Sequence, residues 1–401
     1  MNPNHFALIL LEFVLVIGLS LFGRAVAKAL EQPVVFGELL VGLVCSTLVR
    51  FGGGSFVGVA HDLSLFAELG IVLLMFHIGL DTNVKDLIAN GPQAMKVAAV
   101  GVIAPLGLGL LTSYFLISNG GFTTHLFVAT ALCATSVGLT ARLFADMRRL
   151  GSPEAQLVLT AAVFDDVLGL ILLTLSAGLA AQGEVALIPV LKIVGLAVVF
   201  FGVLGWFGET LVGAVMQNVE FLEPPGRRLL IPLALCFFLS WLANQIGLAT
   251  IVGAFMAGLI LKDEHFQTDG PSVRSEIESL ATLFAPVFFV VLGLQVDLFS
   301  LAKGNVLMLT ICLTIAAVLG KMACSLVVGD KIDGVIVGVG MIPRGEVGLI
   351  FASLGRSLEI LDDDVFSAIV LTIVITTLAA PAALRWALAR ETMPEPPPPR
   401  D

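Results

Sequence analysis

The chain has 401 residues, of which 58% are hydrophobic and only 13% are charged, and its formal net charge is −10. A soluble domain carries about a quarter of its residues as Asp, Glu, Lys or Arg, so a chain this poor in charge could not cover its own surface with polar groups. The composition therefore excludes a soluble enzyme, a disordered chain and a nucleic-acid-binding protein, and it predicts a membrane protein with many spans.

Apolar runs of about 18 to 25 residues recur along the whole chain, each bounded by charged residues, Pro or Gly. The first run follows MNPNH, which lacks the basic segment of a cleavable signal peptide, so we expect this run to span the membrane. We predict an all-α fold with thirteen transmembrane helices, near residues 6–30, 34–49, 63–80, 95–117, 126–145, 155–177, 190–215, 229–246, 249–261, 277–294, 306–328, 334–354 and 365–389.

Basic residues are distributed unevenly between alternate connections, and this asymmetry predicts the orientation because cytoplasmic loops are enriched in Lys and Arg. One side has only four, which are Arg50, Lys192, Lys303 and Arg356. The other side has fourteen, which are Arg24, Lys28, Lys85, Lys96, Arg148, Arg149, Arg227, Arg228, Lys262, Arg274, Lys331, Arg385, Arg390 and Arg400. We therefore expect an external N-terminus and a short cytoplasmic tail over residues 392–401.

Thirteen spans divide into six, one and six, and the single middle span would invert the second group relative to the first. Two spans contain interruptions of small, hydroxyl or Pro residues, at 134–138 and 340–346. Each is the fifth span of its group. Either interruption alone could be an ordinary kink. Breaks at matching places in inverted repeats are typical of transporters, whose binding sites lie where the helices are interrupted.

Five charged residues are predicted near the middle of the membrane, where a charge costs about 2.5–3.5 kcal/mol. They must be paired, hydrated in a cavity or partly neutral, and they are Asp165, Asp166, Lys321, Arg344 and Glu346. Neighbours on a helix point about 100° apart, so one aspartate can face a cavity while the other meets a partner helix. Lys321 is the natural partner, although the pair could also be a permanent structural salt bridge.

A carboxylate that faces a cavity can bind a proton or a small hard cation, but not both at once. Exposure of such a site to each side in turn is sufficient for exchange, with oxygen ligands for Na⁺ or Li⁺ from Asp166, Asp165, Thr135 and Ser136. The ends of broken helices carry partial charges. We expect Arg344 and Glu346 to neutralise these ends, with assistance from Arg142.

Eight stretches of the chain resemble, in order, those of the monovalent cation:proton antiporter-2 family, and most closely its bacterial NapA-type Na⁺/H⁺ antiporters. The most specific are TSVGLTAR, AAVFDDVLGL, GKMACS and GMIPRGEVGLI, at 135–142, 161–170, 320–325 and 340–350. The others are at 32–42, 67–82, 251–261 and 284–298, so the resemblance covers nearly the full chain.

This resemblance implies one integral membrane unit over residues 1–391 that works by elevator-type alternating access as a homodimer in a bacterial inner membrane. It implies ion-transport core helices around 63–177 and 277–356, dimerisation helices around 6–50 and 229–261, and a linker helix at 190–215. Asp166 matches the family's ion- and proton-binding carboxylate, and Asp165 matches the acid that pairs with Lys321 in the electrogenic members. Thr135 and Ser136 match the unwound segment beside that site.

The expected partners are monovalent cations, protons and the lipid bilayer, with no cofactor, no nucleic acid and no regulatory nucleotide-binding domain. The chain departs from the family where Cys45, Ser46 and Thr47 replace the usual Gly-Pro close of the second span. His77 stands where an apolar residue is common, either as a core residue or with a role in pH response.

The sequence bears differently on three alternative functions. Exchange of K⁺ for H⁺ within the same family stays open, because the sequence does not measure the size of a cavity. A cation channel would need a filter sequence like TVGYG, and a buried Asp–Lys pair lines a pore poorly. An intramembrane aspartyl protease, the enzyme alternative, needs two aspartates from separate helices, whereas Asp165 and Asp166 are neighbours.

Overall fold

The computed structural model describes residues 3–51, 57–82, 84–118, 120–182, 187–218, 229–261, 273–294, 304–329 and 331–391. Over these residues the chain forms sixteen α-helices, a short 3-10 helix at Ala323–Val327 and no β-strand. In the first half, the helices are α1 Pro3–Ala29, α2 Val34–Phe51, α3 Val57–Asp62, α4 Ser64–Leu80, α5 Val84–Leu116, α6 Phe122–Ala131, α7 Val137–Asp146 and α8 Pro153–Gln182. They continue with α9 Leu187–Asn218, α10 Ile231–Gln245, α11 Thr250–Ile260, α12 Val273–Leu294, α13 Gly304–Met322, α14 Gly334–Gly340, α15 Glu346–Ser357 and α16 Asp363–Glu391.

The predicted all-α architecture is confirmed, since each of the thirteen predicted spans coincides with one helix or with a broken pair. The two broken pairs are α6–α7 and α14–α15, at the interruptions that the sequence predicts. Within the described residues, eight helices are long and apolar enough to cross a membrane, and four shorter apolar helices accompany them. The short helix α3, which precedes α4, was not predicted.

The packing of the helices repeats between the two halves of the chain. Helix α2 packs on α12 as α11 packs on α4, and α5 packs on α8 as α13 packs on α16. The first half, α1 to α8 with the short α3 set aside, therefore corresponds to α10 to α16. Helix α9 lies between the halves and is mostly exposed, with 17% of its apolar stretch Ile188–Gly208 buried. This arrangement is the predicted pair of six-span inverted repeats around a single linking helix.

One packing group consists of α1, α2, α4, α10, α11 and α12, which we call the glycine-packed group. Its helices approach so closely that backbone meets backbone. A Cβ atom added at Gly42 would lie 2.3 Å from the carbonyl oxygen of Val290, and one added at Gly79 would lie 2.3 Å from that of Phe255. These two contacts occupy equivalent places in the repeats. Small residues allow this approach in membranes, where van der Waals packing drives helix association.

The second packing group contains α5 to α8 and α13 to α16 with the 3-10 helix, and we call it the crossing group because both broken pairs lie in it. This packing departs from the predicted division, which placed 63–80 and 277–294 among the core helices and left 365–389 out. The backbone of α4 meets that of α12 where a Cβ at Gly70 would lie 2.2 Å from the carbonyl oxygen of Phe284. Both helices therefore belong to the glycine-packed group, whereas α16 packs on α13, α14 and α15.

Candidate functional site

Asp165 lies near the middle of α8 and is held from two directions. Its carboxylate accepts hydrogen bonds from Lys321 Nζ at 3.2 and 3.3 Å, and from the backbone N–H of Thr135 at 2.9 Å. Asp165 is 1% exposed and Lys321 is not exposed at all. A buried charge is tolerated only when it is paired and hydrogen-bonded, and both conditions are met here. The structure thus brings together three residues that the sequence separates by up to 186 positions.

Asp166 follows on the same helix and is 5% exposed. Because successive helical residues are about 100° apart, its carboxylate points to a different side of α8 from that of Asp165. The two acids therefore stand at one depth in the crossing group but meet different surroundings. Different roles for the two acids stay a prediction from the sequence.

The two breaks contact each other directly. The backbone N–H of Ser136 donates to the carbonyl oxygen of Pro343 at 2.8 Å, and the Thr135 hydroxyl donates to that of Met341 at 3.4 Å. Ser136 also begins α7, where its side chain accepts a bond from the N–H of Leu139. A Cβ at Gly345 would lie 2.6 Å from the Ser136 hydroxyl oxygen, so only glycine fits opposite this serine.

Arg344 lies in the second break with 1% of its surface exposed. Its guanidinium donates to the carbonyl oxygens of Ala134 at 2.9 Å and Ala317 at 3.3 Å. Ala134 is in the first break, just beyond the carboxyl end of α6, where carbonyl groups have no intrahelical partner. The cation thus stands where the sequence placed one, beside the carboxyl end of a broken helix.

Thr377, near the middle of α16, is part of this site and was not predicted from the sequence. Its hydroxyl donates to the carbonyl oxygen of Arg344, so the second break is tied to α16 as the first break is tied to α8. A threonine in an apolar helix usually bonds back to its own helix, as Thr376 does here. No local pattern marks Thr377 as different from its neighbour.

Two further predicted site residues are Arg142 and Glu346. The structure places Arg142 away from the two breaks, and it does not describe the side chain of Glu346. Arg142 is six positions beyond Ser136 on α7, about 9 Å along the helix, and forms an ion pair with Asp146 at 2.9 Å. Its ion pair is therefore within α7, and the predicted assistance of Arg142 at the broken ends stays a prediction. Glu346 begins α15, and its side chain lies outside the described part of the structure.

Cavities flank the boundary between the two packing groups at both ends. A largely apolar cavity of about 430 Å³ lies between α2 and α12 on one side and α15 and α16 on the other. At the opposite end, a polar cavity of about 500 Å³ is lined by Arg24, His77, Asp81, Arg142 and Asp146, among others. His77 thus lies at a polar boundary, 4.0 Å from Asp81, and not in an apolar core.

The sequence matches the family described as sodium/hydrogen exchanger, transmembrane, over residues 16–390. The high-affinity Na⁺/H⁺ antiporter NhaS3 of Synechocystis sp. is 33% identical, and the alignment covers 96% of this chain and 90% of that protein. The Na⁺/H⁺-K⁺ antiporter GerN of Bacillus cereus is 32% identical, with 94% of this chain and 96% of that protein covered.

Solved structures show the same fold. The sodium proton antiporter MjNhaP1 from Methanocaldococcus jannaschii at pH 8 superimposes with a TM-score of 0.64, at 15% identity, over 98% of this chain and 100% of that one. An electron-microscopy structure of MjNhaP1 gives a TM-score of 0.69 at 17% identity, with 99% and 100% covered. At this level of identity the likeness concerns the path of the helices.

Proposed function

The chain belongs to the family of transmembrane sodium/hydrogen exchangers, and from this premise we propose that it exchanges Na⁺ or Li⁺ for H⁺ across a membrane. The observation that carries the proposal is the pair of buried carboxylates on α8, beside two contacting helix breaks, with the buried Lys321 of α13 paired to Asp165. Carboxylates inside a membrane are costly, and they mark ion and proton pathways.

Asp166 is the proposed binding group for both ions. A single carboxylate binds one positive partner at a time, so at this site a proton and a cation would displace each other. Thr135 and Ser136 lie at the first break near α8 and offer hydroxyl and backbone oxygens, which are the ligands that a small hard cation prefers. No enzymatic step and no cofactor is needed for this exchange.

Asp165 and Lys321 are proposed to make the exchange electrogenic. In one half of the cycle Asp166 carries one Na⁺. In the other half Asp166 carries one proton and the Asp165–Lys321 pair carries a second, so two protons are exchanged for one Na⁺ and one net charge crosses the membrane in each cycle. A cycle that moves unequal charge in the two directions responds to the membrane potential. A purely structural salt bridge would give no such response.

Alternating access is proposed to arise from movement of the crossing group against the glycine-packed group, as in an elevator. Cavities at both ends of the boundary support this proposal, because each could admit water and ions from one side. The end rich in Arg24, Arg148, Arg149 and Arg385 is proposed to be cytoplasmic, in a bacterial inner membrane. A homodimer through α1 and α10 is also proposed, since both helices expose large apolar side chains.

Exchange of K⁺ for H⁺ is the second candidate. It is favoured by the name of the GerN relative, an Na⁺/H⁺-K⁺ antiporter that is 32% identical over nearly the whole chain.

Transport by the purified protein in liposomes tests the proposal. A pH-sensitive dye inside the vesicles should report proton movement when Na⁺, Li⁺ or K⁺ is added outside. We expect responses to Na⁺ and Li⁺, and a response to K⁺ alone would favour the second candidate. Clamping the potential with valinomycin, in separate vesicles, should change the rate of an electrogenic exchange. Absence of any cation-dependent dye signal in liposomes that contain the folded protein would overturn the proposal.

A further inference from the structure

Glu38, on α2 of the glycine-packed group, is a fully buried carboxylate that the proposed ion chemistry does not use. Its Oε1 accepts hydrogen bonds from the Ser20 hydroxyl and from Arg24 Nε, each at 3.1 Å. Among the described residues, its Oε2 has no hydrogen-bond partner. Removal of a carboxylate from water costs several kcal/mol, so a buried acid with one oxygen left over needs a further source of stabilisation.

The other side of the boundary supplies an opposite charge. Asp146, at the end of α7, accepts a bond from the backbone N–H of Val35 at 3.3 Å and pairs with Arg142 Nε at 2.9 Å. Val35 and Glu38 are three residues apart and share a face of α2, while Arg142 and Asp146 are four apart and share a face of α7. This register turns Arg142 towards the face of α2 that carries Glu38, close enough for its positive charge, with that of Arg24, to stabilise the Glu38 carboxylate.

Each group could keep its own partner if the boundary opened. Glu38 would retain Arg24 and Ser20 on its own side, and Arg142 would retain Asp146 on its own helix. No charge would then be left uncompensated. Breaking a buried ion pair is very costly only when it leaves a buried charge without a partner. The polar cavity beside the cluster, about 500 Å³ in volume, is large enough for water to hydrate the separated charges.

We propose that Arg142 is a shared cation, held by Asp146 on the crossing group and attracted by Glu38 on the glycine-packed group, and that this cluster holds the boundary closed at its basic end. The cluster is a releasable contact between two groups that are each neutralised internally. The strength of this contact thereby sets the fraction of molecules in which the boundary is closed at its basic end. The inference rests on the proposed alternating access, since a boundary that never opened would need no releasable contact.

Hydrogen exchange measured by mass spectrometry tests the cluster without any transport. We expect Glu38→Gln, which keeps the shape of the side chain but removes its charge, to speed exchange of the amides at 34–38 and 142–146 by about tenfold or more. The matched control is Glu31→Gln. Glu31 crosses the same boundary to Arg385 at 2.9 Å but is 80% exposed, so its loss should leave both segments nearly unchanged.

Arg142→Gln provides an independent route to the same result if Glu38→Gln does not fold. We expect the same two segments to exchange faster, and the double variant to exchange no faster than the quicker single variant, because both changes remove one shared contact. Effects that multiply in the double variant, or faster exchange across all helices alike, would overturn the proposal. Because exchange is read from the protein alone, an inactive antiporter would refute the proposed function and leave this result standing.

Discussion

In the first half of the chain the broken segment is tied to its neighbour by a carboxylate, whereas in the second half it is tied by a hydroxyl. The N–H of Thr135 donates to Asp165 of α8, and the carbonyl oxygen of Arg344 accepts from Thr377 of α16. The two contacts join equivalent elements of the repeats. A helix break leaves backbone groups without partners in either half, and each contact satisfies one of them.

The comparison shows that the fold does not require an acid at this place. A neutral hydroxyl satisfies the second break, and a threonine costs far less to bury than a carboxylate. The first half instead carries two aspartates and must bring in Lys321 from α13 to compensate one of them. Holding the first break in place therefore does not account for these charges, whereas the proposed ion binding beside that break does.

Lys321→Met should have the largest effect, because it leaves Asp165 buried without its cation. We expect the free energy of unfolding to fall by about 3–5 kcal/mol. Thermal unfolding in detergent measures this loss. The double variant Asp165→Asn, Lys321→Met should regain most of the stability, since both charges are then absent. Equal losses in the single and double variants would contradict the assignment of Asp165 and Lys321 as a compensating pair.

Asp166→Asn should abolish exchange while the protein stays folded, because a neutral amide cannot exchange a proton for a cation. We expect the rate in liposomes to fall at least about a hundredfold, equivalent to about 2.7 kcal/mol. The matched control is Asp363→Asn, the same chemical change on α16 at a side chain that is 77% exposed, which should transport like the unmodified protein. Normal exchange by the Asp166 variant would place the binding site elsewhere.

Thr377→Val tests the neutral side of the comparison. It removes the hydroxyl and leaves the buried carbonyl oxygen of Arg344 without this donor, which should cost about 1–3 kcal/mol of stability. Exchange should persist at a temperature well below unfolding, because no charge of the site is changed. The neighbouring variant Thr376→Val removes only a bond within α16 and should cost less. Loss of exchange in a folded Thr377 variant would mean that the two breaks act together.

Ser136→Ala should have the smallest effect on stability, about 0.5–2 kcal/mol, through loss of the cap of α7. If its oxygen also binds the cation, the apparent affinity for Na⁺ should fall. This affinity is measured as the Na⁺ concentration that gives a half-maximal response of the pH-sensitive dye in liposomes. Ser136→Gly, which lacks the hydroxyl but is tolerated at a helix start, separates the two roles. An unchanged Na⁺ affinity in both variants would restrict Ser136 to capping.

The spans, the breaks and the acid–lysine pair could be predicted because each follows from the free-energy cost of placing particular residues in water or in the membrane. An apolar run must span, an interruption must leave backbone groups exposed, and Asp165 at mid-depth must find a cation. Lys321 was the only lysine near the middle of a predicted span, so it was the natural partner for Asp165.

The grouping of helices and the role of Thr377 could not be predicted in this way. Apolar periodicity says which residues are buried but not which helix buries them, so the predicted division did not anticipate that α4 packs mainly on α11 and α12. Their glycines, Gly70 and Gly79 among them, were a usable sign of close packing. Arg142 was placed by its chemistry alone, whereas its position is set by six residues of helix beyond the break.

The contacts at Gly42 and Gly79 have a mechanical consequence. A contact between side chains can yield when one of them changes rotamer, but backbone pressed on backbone has no such soft coordinate. The glycine-packed group should therefore be stiff, and lateral pressure from the bilayer should pass through it with little deformation. Any strain between the two groups must then collect at their boundary, where long polar side chains can lengthen, swing and exchange partners.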